Sequence, residues 1–222
     1  MNDKKLKAAF FDLDGVVFDT EPQYTVFWGE QCRHYHPEHP GLENEIKGQT
    51  LTQIFERWFG GPLASEQKVI TERLNEFETN MAFDYVAGFG QFVEELRRKK
   101  VLTAVVTSSN RAKMASVYRS RPEFKDFFDA ILTSEDFSES KPSPDCYLKA
   151  AERFGVTPGE SVVFEDSING LRSGRNASML VVGLATTNSP DIIAPLADIV
   201  IGDYTTFGYD QLCSHSTIRK TE

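Results

Sequence analysis

From about residue 88 onward, short apolar runs alternate with segments whose apolar residues recur at helical spacing. Short buried strands that alternate with helices predict a parallel sheet with helices on both faces. After a first strand near residue 8, the predicted strands are 102–106, 130–132, 162–164, 180–182 and 199–201. The predicted fold class is therefore α/β, with a doubly wound parallel sheet.

Residues 18–86 follow a different pattern. Their apolar residues recur every three or four positions, as in Ile54, Phe55, Trp58 and Phe59, which is typical of amphipathic helices. We expect a helical insertion at 18–86, and an α/β core formed by 1–17 and 87–222.

The first predicted strand leads into a pair of carboxylates. Asp12 and Asp14 follow four apolar residues, and Gly15 comes directly after them. If the strand continues through Leu13, its period of two places both carboxylates on the same face. Such a pair is costly to bury unless a cation lies between its members, and a divalent cation is the natural candidate. A solvated turn is the alternative interpretation.

Chemically useful side chains also follow three later strands. Thr107 ends the second strand, Lys141 precedes a helix, and Glu165 and Asp166 end the fourth strand. In doubly wound sheets, ligands bind at the carboxyl ends of the strands, where the winding reverses. We expect Thr107 and the nearby helix start to bind phosphate. We also expect Asp166 to complete a magnesium site with Asp12, and Glu165 to orient Lys141 or a metal-bound water.

Each of these stretches has a purely structural alternative. Ser109 or Asn110 is suited to cap the helix that follows Thr107, and Ser167 to cap the helix after the second acidic pair. Lys141 is also compatible with a solvated loop. The prediction of a site therefore depends on the four stretches together.

Composition excludes several classes of function. The 222 residues carry 24 Lys and Arg against 33 Asp and Glu, a net charge of −9, which argues against nucleic-acid and anionic-membrane partners. The three cysteines are far apart in sequence and favour reduced thiols and a cytoplasmic location. The polar start at residues 1–5 is unlike a signal peptide, and no membrane-spanning segment is expected.

Taken together, the four stretches resemble the motifs of the haloacid dehalogenase (HAD) superfamily. The matching residues are Asp12-Leu13-Asp14-Gly15, Thr107, Lys141 and Glu165-Asp166. The residues around them are similar to the subgroup that includes phosphoglycolate phosphatase and β-phosphoglucomutase. The resemblance implies a Rossmann-like core in which the insertion at 18–86 is a helical cap.

The resemblance also implies a mechanism. Asp12 would be the nucleophile that forms a phosphoaspartate, and Asp14 the general acid and then the general base. The implied cofactor is Mg²⁺, with Asp12, Asp14 through its backbone carbonyl, Asp166 and Glu165 as the metal-site residues. Thr107 and Lys141 would bind the transferring phosphoryl group.

Phosphatase and mutase remain the two principal alternatives. The mutase's histidine and arginine correspond to Tyr24 and Leu51 here, which favours a phosphatase acting on a small phosphomonoester such as a sugar phosphate. The dehalogenases of this superfamily have no acidic residue at the position that corresponds to Asp14. Phosphoryl transfer is therefore also favoured over dehalogenation. A regulatory or binding protein that has lost its catalytic activity is a third possibility, which the intact motifs disfavour.

Further contacts to the small phosphorylated substrate are expected in the insertion and beside Thr107. The predicted substrate-binding residues are Ser108, Gly48, Gln49, Thr50 and Tyr24. His34, His36 and His39 have a proline-broken spacing, so we predict an exposed loop there instead of a metal site. We expect a monomer or small homo-oligomer.

Overall fold

Six parallel strands form one sheet in the computed structural model, which describes residues 6–218. In chain order the strands are β1 (Ala8–Phe11), β2 (Leu102–Val106), β3 (Ala130–Leu132), β4 (Ser161–Glu165), β5 (Leu180–Leu184) and β6 (Ile199–Ile201). Across the sheet the order is β3-β2-β1-β4-β5-β6, with Ala8 opposite Leu102 on one side and Ser161 on the other. The predicted α/β class with a parallel sheet is confirmed.

Helices cover both faces of this sheet. In chain order, the α-helices of the described residues are α1 (Glu21–Tyr35), α2 (Leu42–Ile46), α3 (Leu51–Trp58), α4 (Gln67–Asn80), α5 (Phe89–Arg98), α6 (Arg111–Ser120), α7 (Asp145–Phe154), α8 (Ile168–Asn176), α9 (Pro190–Ile193) and α10 (Tyr209–Ile218). Alternate side chains of β1 belong to different apolar clusters, Ala9 and Phe11 to one and Ala8 and Phe10 to the other. Every side chain of β1 is therefore buried, as expected for the central strand of a doubly covered sheet.

The segment between β1 and α5 contains helices α1–α4 and has an apolar cluster of its own. The buried members of that cluster are Phe27, Trp28, Cys32, Leu42, Ile46, Ile54, Phe59, Ile70 and Leu74. The two connections to the sheet lie side by side, because Asp19 donates from its backbone N–H to Asp84 O (2.8 Å) and Val86 to Val17 O (2.9 Å). The division into 18–86 and a core of 1–17 and 87–222 stays a prediction, and 1–5 and 219–222 lie outside the described residues.

The first strand ends earlier than the alternation of its residues suggests. The shared face of Asp12 and Asp14 depended on a strand that continues through Leu13, but β1 ends at Phe11. Gly15 adopts a left-handed φ of 70°, and its N–H donates to Phe18 O at 2.8 Å. The N–H groups of Val17 and Phe18 both turn back to Leu13 O, so the chain forms a tight turn. Glycine is suited to that turn because it has no Cβ to oppose a positive φ.

Within residues 6–218, none of the helices combines the length and the apolar character that crossing a bilayer requires.

Candidate active site

A cavity of about 370 Å³ lies at the carboxyl ends of the strands, facing α1–α4. Asp12 and Asp14 enter it from the end of β1, Thr107 from the end of β2, and Asp166 from the end of β4. Lys141 reaches it from the loop before α7. Because the strands are parallel and the winding reverses at β1, residues far apart in sequence meet at this edge.

Lys141 connects two carboxylates beneath the cavity. Its Nζ donates to Asp12 Oδ1 and Glu165 Oε1, both at 2.6 Å, and to the carbonyl of Val106 at 3.0 Å. Burial disfavours the charged ammonium, but Asp12 and Glu165 outweigh it and raise the pKa of Lys141 above its ordinary value. Lys141 is therefore a fixed positive charge beside the carboxylate of Asp12.

Glu165 is completely buried and is held by several donors. Tyr147 donates its hydroxyl to Oε1 at 2.7 Å, and Ser167 donates to Oε2 at 3.4 Å. Gly170 provides the space, since a Cβ there would lie 1.9–2.1 Å from the carboxylate atoms. The carboxylate is thus fixed against Lys141, which is one of the two roles expected for it.

Three carboxylates are close enough to share a cation. One oxygen each from Asp12, Glu165 and Asp166 lie within 4.8 Å of one another. Burial raises the pKa of Asp12 to about 7 in spite of Lys141, and raises that of Asp166 well above its ordinary range. Hard divalent cations prefer oxygen ligands and would stabilise the ionised carboxylates. The residues present therefore fit a divalent metal ion.

The surroundings of Asp166 hold it in this position. Thr187 donates its hydroxyl to Asp166 Oδ2, and Asn188 donates to the backbone carbonyl of Asp166 at 3.1 Å. A Cβ on Gly15 would lie 2.0 Å from Asp166 Oδ2, so the turn after β1 approaches this carboxylate closely. Thr186 donates to Gly15 O at 2.6 Å and joins that turn to the loop after β5. The sequence prediction missed this loop, whose residues form no motif of their own.

Asp14 accepts hydrogen bonds from three side chains. Thr20 donates to Oδ1 at 2.6 Å, and Ser109 donates to Oδ2 at 3.3 Å. Lys113 forms a close ion pair with Oδ2. Asp14 is therefore held on the cavity wall by Thr20, which follows β1, and by Ser109 and Lys113, which follow β2.

The sequence prediction also missed Lys113. Its side chain is 3 % exposed, and its Nζ lies 4.8 Å from the centroid of the Tyr24 ring. The weak signal in the sequence is its position in the first turn of α6, where the helix dipole disfavours a cation.

The loop after β2 serves both the cavity and the helix that follows it. Thr107 is 1 % exposed, and its Oγ1 accepts from the N–H of Ser109 at 3.0 Å. Ser108 is exposed and lines the cavity. Asn110 caps α6 by accepting from the N–H of Lys113 at 2.9 Å. The helix-capping alternative therefore holds for Asn110, while Thr107 and Ser108 remain available to a ligand.

The four residues proposed from the insertion all line the cavity, but the side chains of three of them are hydrogen-bonded within the insertion. Tyr24 donates to Glu78 Oε1 at 2.8 Å. Thr50 caps α3 by accepting from Gln53 N at 3.3 Å, and Gln49 donates to Glu45 O at 2.6 Å. Gly48 faces α8, where a Cβ would lie 2.9 Å from the Cβ of Ser167.

Three further carboxylates on the helical side were not anticipated. Glu21, Glu43 and Glu78 all line the cavity. Burial, reinforced by Asp14 and opposed by Lys113, raises the pKa of Glu21 to about 7. Burial also raises the pKa of Glu78, against the effects of Lys113 and Tyr24.

The histidines of the insertion do not converge on a metal site. Among the described residues they belong to no cluster of metal-ligating side chains. His36 pairs through Nε2 with Trp58 O at 2.7 Å, and His39 through Nε2 with Glu45 Oε1 at 2.8 Å. His34 is exposed near the end of α1.

The sequence is similar to those of known proteins. The family model for haloacid dehalogenase-like hydrolases matches residues 6–178. A phosphorylated carbohydrates phosphatase from Thermotoga maritima is 28 % identical over 185 residues, covering 78 % of this chain and 82 % of that protein. A β-phosphoglucomutase from Mycobacterium bovis is 27 % identical over 240 residues, covering 90 % of each chain.

A solved structure supports the fold independently. The crystal structure of a HAD hydrolase, family IA, variant 3, from Entamoeba histolytica has a TM-score of 0.82 and 21 % identity, and the match covers 95 % of this chain and 99 % of that one.

Proposed function

The chain belongs to the haloacid dehalogenase-like hydrolases, and we propose that it is a Mg²⁺-dependent phosphatase that hydrolyses a small phosphomonoester through a phosphoaspartate on Asp12. The observation that carries the proposal is the meeting of Asp12, Asp14, Thr107, Lys141 and Asp166 around one cavity.

Asp12 is the proposed nucleophile. Its carboxylate attacks phosphorus in line with the leaving oxygen, and the P–O bond to the leaving group breaks as the new one forms. Lys141, fixed by Glu165, stabilises the negative charge shared by Asp12 and the phosphoryl oxygens. Thr107 donates its hydroxyl to the same oxygens.

Asp12, Asp166 and the backbone carbonyl of Asp14 would hold the metal ion. When bound, it would offset the repulsion between the carboxylates and the substrate phosphate. Glu165 belongs to the same acidic cluster, but its bonds to Lys141 and Tyr147 favour a role in orienting the lysine.

Asp14 is the proposed proton carrier. It donates a proton to the leaving oxygen in the first step and accepts one from the attacking water in the second. Thr20 and Ser109 orient its carboxylate toward the cavity that it lines.

The helical insertion at 18–86 is the proposed cap, with Tyr24, Gly48, Gln49 and Thr50 beside the leaving group. The proposed substrate is a small polar metabolite such as a sugar phosphate. This choice is supported by the sequence motifs and by the hydroxyl and carboxylate groups on the helical side of the cavity. The net charge of −9 supports the absence of nucleic-acid and membrane partners. We propose a cytoplasmic enzyme that is a monomer or small homo-oligomer.

A β-phosphoglucomutase-type mutase is the second candidate, favoured by the similarity to the Mycobacterium bovis enzyme. The test is incubation of the protein with Mg²⁺, β-glucose 1-phosphate and a catalytic amount of the bisphosphate, with glucose 6-phosphate and free phosphate measured together. We expect phosphate release from a panel of phosphorylated metabolites, lost in the Asp12→Asn variant. Isomerisation that outpaces phosphate release would favour the mutase.

A further inference from the structure

Lys113 is a buried cation at the cavity that has no role in the phosphoryl-transfer mechanism proposed above. Its side chain is 3 % exposed, and it forms a close ion pair with Asp14 Oδ2. It also faces the ring of Tyr24, with Nζ 4.8 Å from the centroid.

The local structure of α6 gives no reason for a lysine at this position. Lys113 lies in the first turn of the helix, three residues after the cap Asn110. The helix dipole is unfavourable to a positive charge there, and a buried ammonium without a partner is costly. The stabilising partners are the carboxylates around the cavity: Asp14 by contact, and Glu21 and Glu78 through their electrostatic interaction with Lys113.

The pattern of donors makes the two oxygens of Asp14 different. Oδ2 accepts from both Lys113 and Ser109, whereas Oδ1 accepts from Thr20. Each carboxylate oxygen has two lone-pair positions. Oδ2 is therefore saturated, and Oδ1 retains one position at which a proton can be held.

We propose that Lys113 is a positioning residue for proton transfer by Asp14. By fixing Oδ2, it presents Oδ1 to the leaving oxygen of the substrate, so that the proton on Oδ1 passes to that oxygen as the P–O bond breaks. This inference rests on the proposed function, in which Asp14 is the general acid. Lys113 itself exchanges no proton in this scheme.

The test compares two substrates of similar shape that differ in their need for an acid. 4-Nitrophenyl phosphate releases an acidic phenol, whereas 4-nitrobenzyl phosphate releases an alcohol that must be protonated as it departs. The value of kcat/KM reports the steps up to leaving-group departure. It is measured with Mg²⁺ for the wild type and for the variants Lys113→Gln, Lys113→Arg and Asp14→Asn.

We expect Lys113→Gln to lower kcat/KM for the benzyl ester by on the order of tenfold or more, and for the phenyl ester much less, because general acid catalysis contributes about 10²–10⁴-fold where it is needed. Asp14→Asn should give the same selectivity with a larger loss. Lys113→Arg should recover part of the loss, because it retains the positive charge. Arg119→Gln, an exposed substitution on the same helix, is the control and should match the wild type.

Thermal unfolding of each variant separates folding from positioning. If Lys113→Gln still unfolds cooperatively but loses kcat/KM equally for both esters, the positioning role of Lys113 is overturned. A change in KM with no change in kcat would overturn it as well. Those results leave the proposed function intact as long as Asp12→Asn abolishes hydrolysis of both esters. Hydrolysis that survives in Asp12→Asn, or that is absent from the wild type, would contradict the proposed function and this inference with it.

Discussion

Gly170 lies on α8 directly against the buried carboxylate of Glu165, and replacing it with alanine tests how firmly that carboxylate is held. The new Cβ would lie 1.9 Å from Cδ and 2.0–2.1 Å from the two oxygens. Glu165 is completely buried, and its Oε1 is bound to Lys141 at 2.6 Å and to Tyr147 at 2.7 Å. It can therefore move away only by breaking these bonds.

The magnitude follows from two opposing effects. Alanine in place of glycine within a helix contributes about 1 kcal/mol of stability. Breaking a buried ion pair such as Lys141–Glu165 costs about 3–5 kcal/mol. We expect Gly170→Ala to destabilise the protein by roughly 2–4 kcal/mol. Phosphatase activity should fall as well, because Lys141 loses the partner that orients it beside Asp12.

The assay is urea unfolding at equilibrium combined with phosphate release. Gly90→Ala is the matched control, because this glycine also lies within a helix but a Cβ there would be 3.9 Å from its nearest neighbour, Phe127 Cζ. The control should be stabilised by about 0.5–1 kcal/mol and keep its activity. A Gly170→Ala protein that matched this control in both measurements would refute the close packing of Glu165 and its part in orienting Lys141.

Two further predictions concern the cavity. Burial and the charge of Asp14 raise the pKa of Glu21 from 4.5 to about 7. The folded state therefore binds the proton of the Glu21 carboxyl more tightly than the unfolded state does, and the ionisation of Glu21 lowers the free energy of unfolding as the pH rises from about 4.5 to 7. Glu21→Gln should therefore be more stable than the wild type by up to about 3 kcal/mol at pH 7 or above and equal to it near pH 4, and a constant difference in urea unfolding across this range would contradict the pKa shift. Thr187→Val removes the hydroxyl that contacts Asp166 and should weaken Mg²⁺ binding by about 10- to 100-fold in calorimetric titration, with Thr79→Val, on α4, as the control. Unchanged Mg²⁺ affinity in Thr187→Val would argue against Asp166 as a ligand.

The strands were predictable because each is a short, mainly apolar run, and these runs alternate with segments of helical spacing. β2, β3 and β6 have the predicted bounds, and β4 and β5 extend past theirs by at most two residues. The end of β1 was not predictable from alternation, since the turn at Gly15 is formed by backbone hydrogen bonds among Leu13, Val17 and Phe18. Asp12 and Asp14 nevertheless both reach the cavity.

The site was predictable where its residues follow strands, because parallel strands bring their carboxyl ends together. Lys113 was not predictable because it lies within α6, and Thr187 was not because the loop after β5 contains no recognisable motif. Lys113 is 99 residues from Asp14 in sequence, and Thr187 is 21 residues from Asp166. Only the folded arrangement brings each pair into contact.

The most direct test of the proposed mechanism is to trap the phosphoryl group on the protein. The Asp14→Asn variant, in which water attack should be slow, is mixed with Mg²⁺ and 4-nitrophenyl phosphate, quenched in acid and digested, and its peptides are examined by mass spectrometry. We expect one phosphoryl group on Asp12, and none in the Asp12→Asn/Asp14→Asn double variant. Hydrolysis by the wild type without a trapped group on Asp12, together with an active Asp12→Asn single variant, would contradict the phosphoaspartate mechanism.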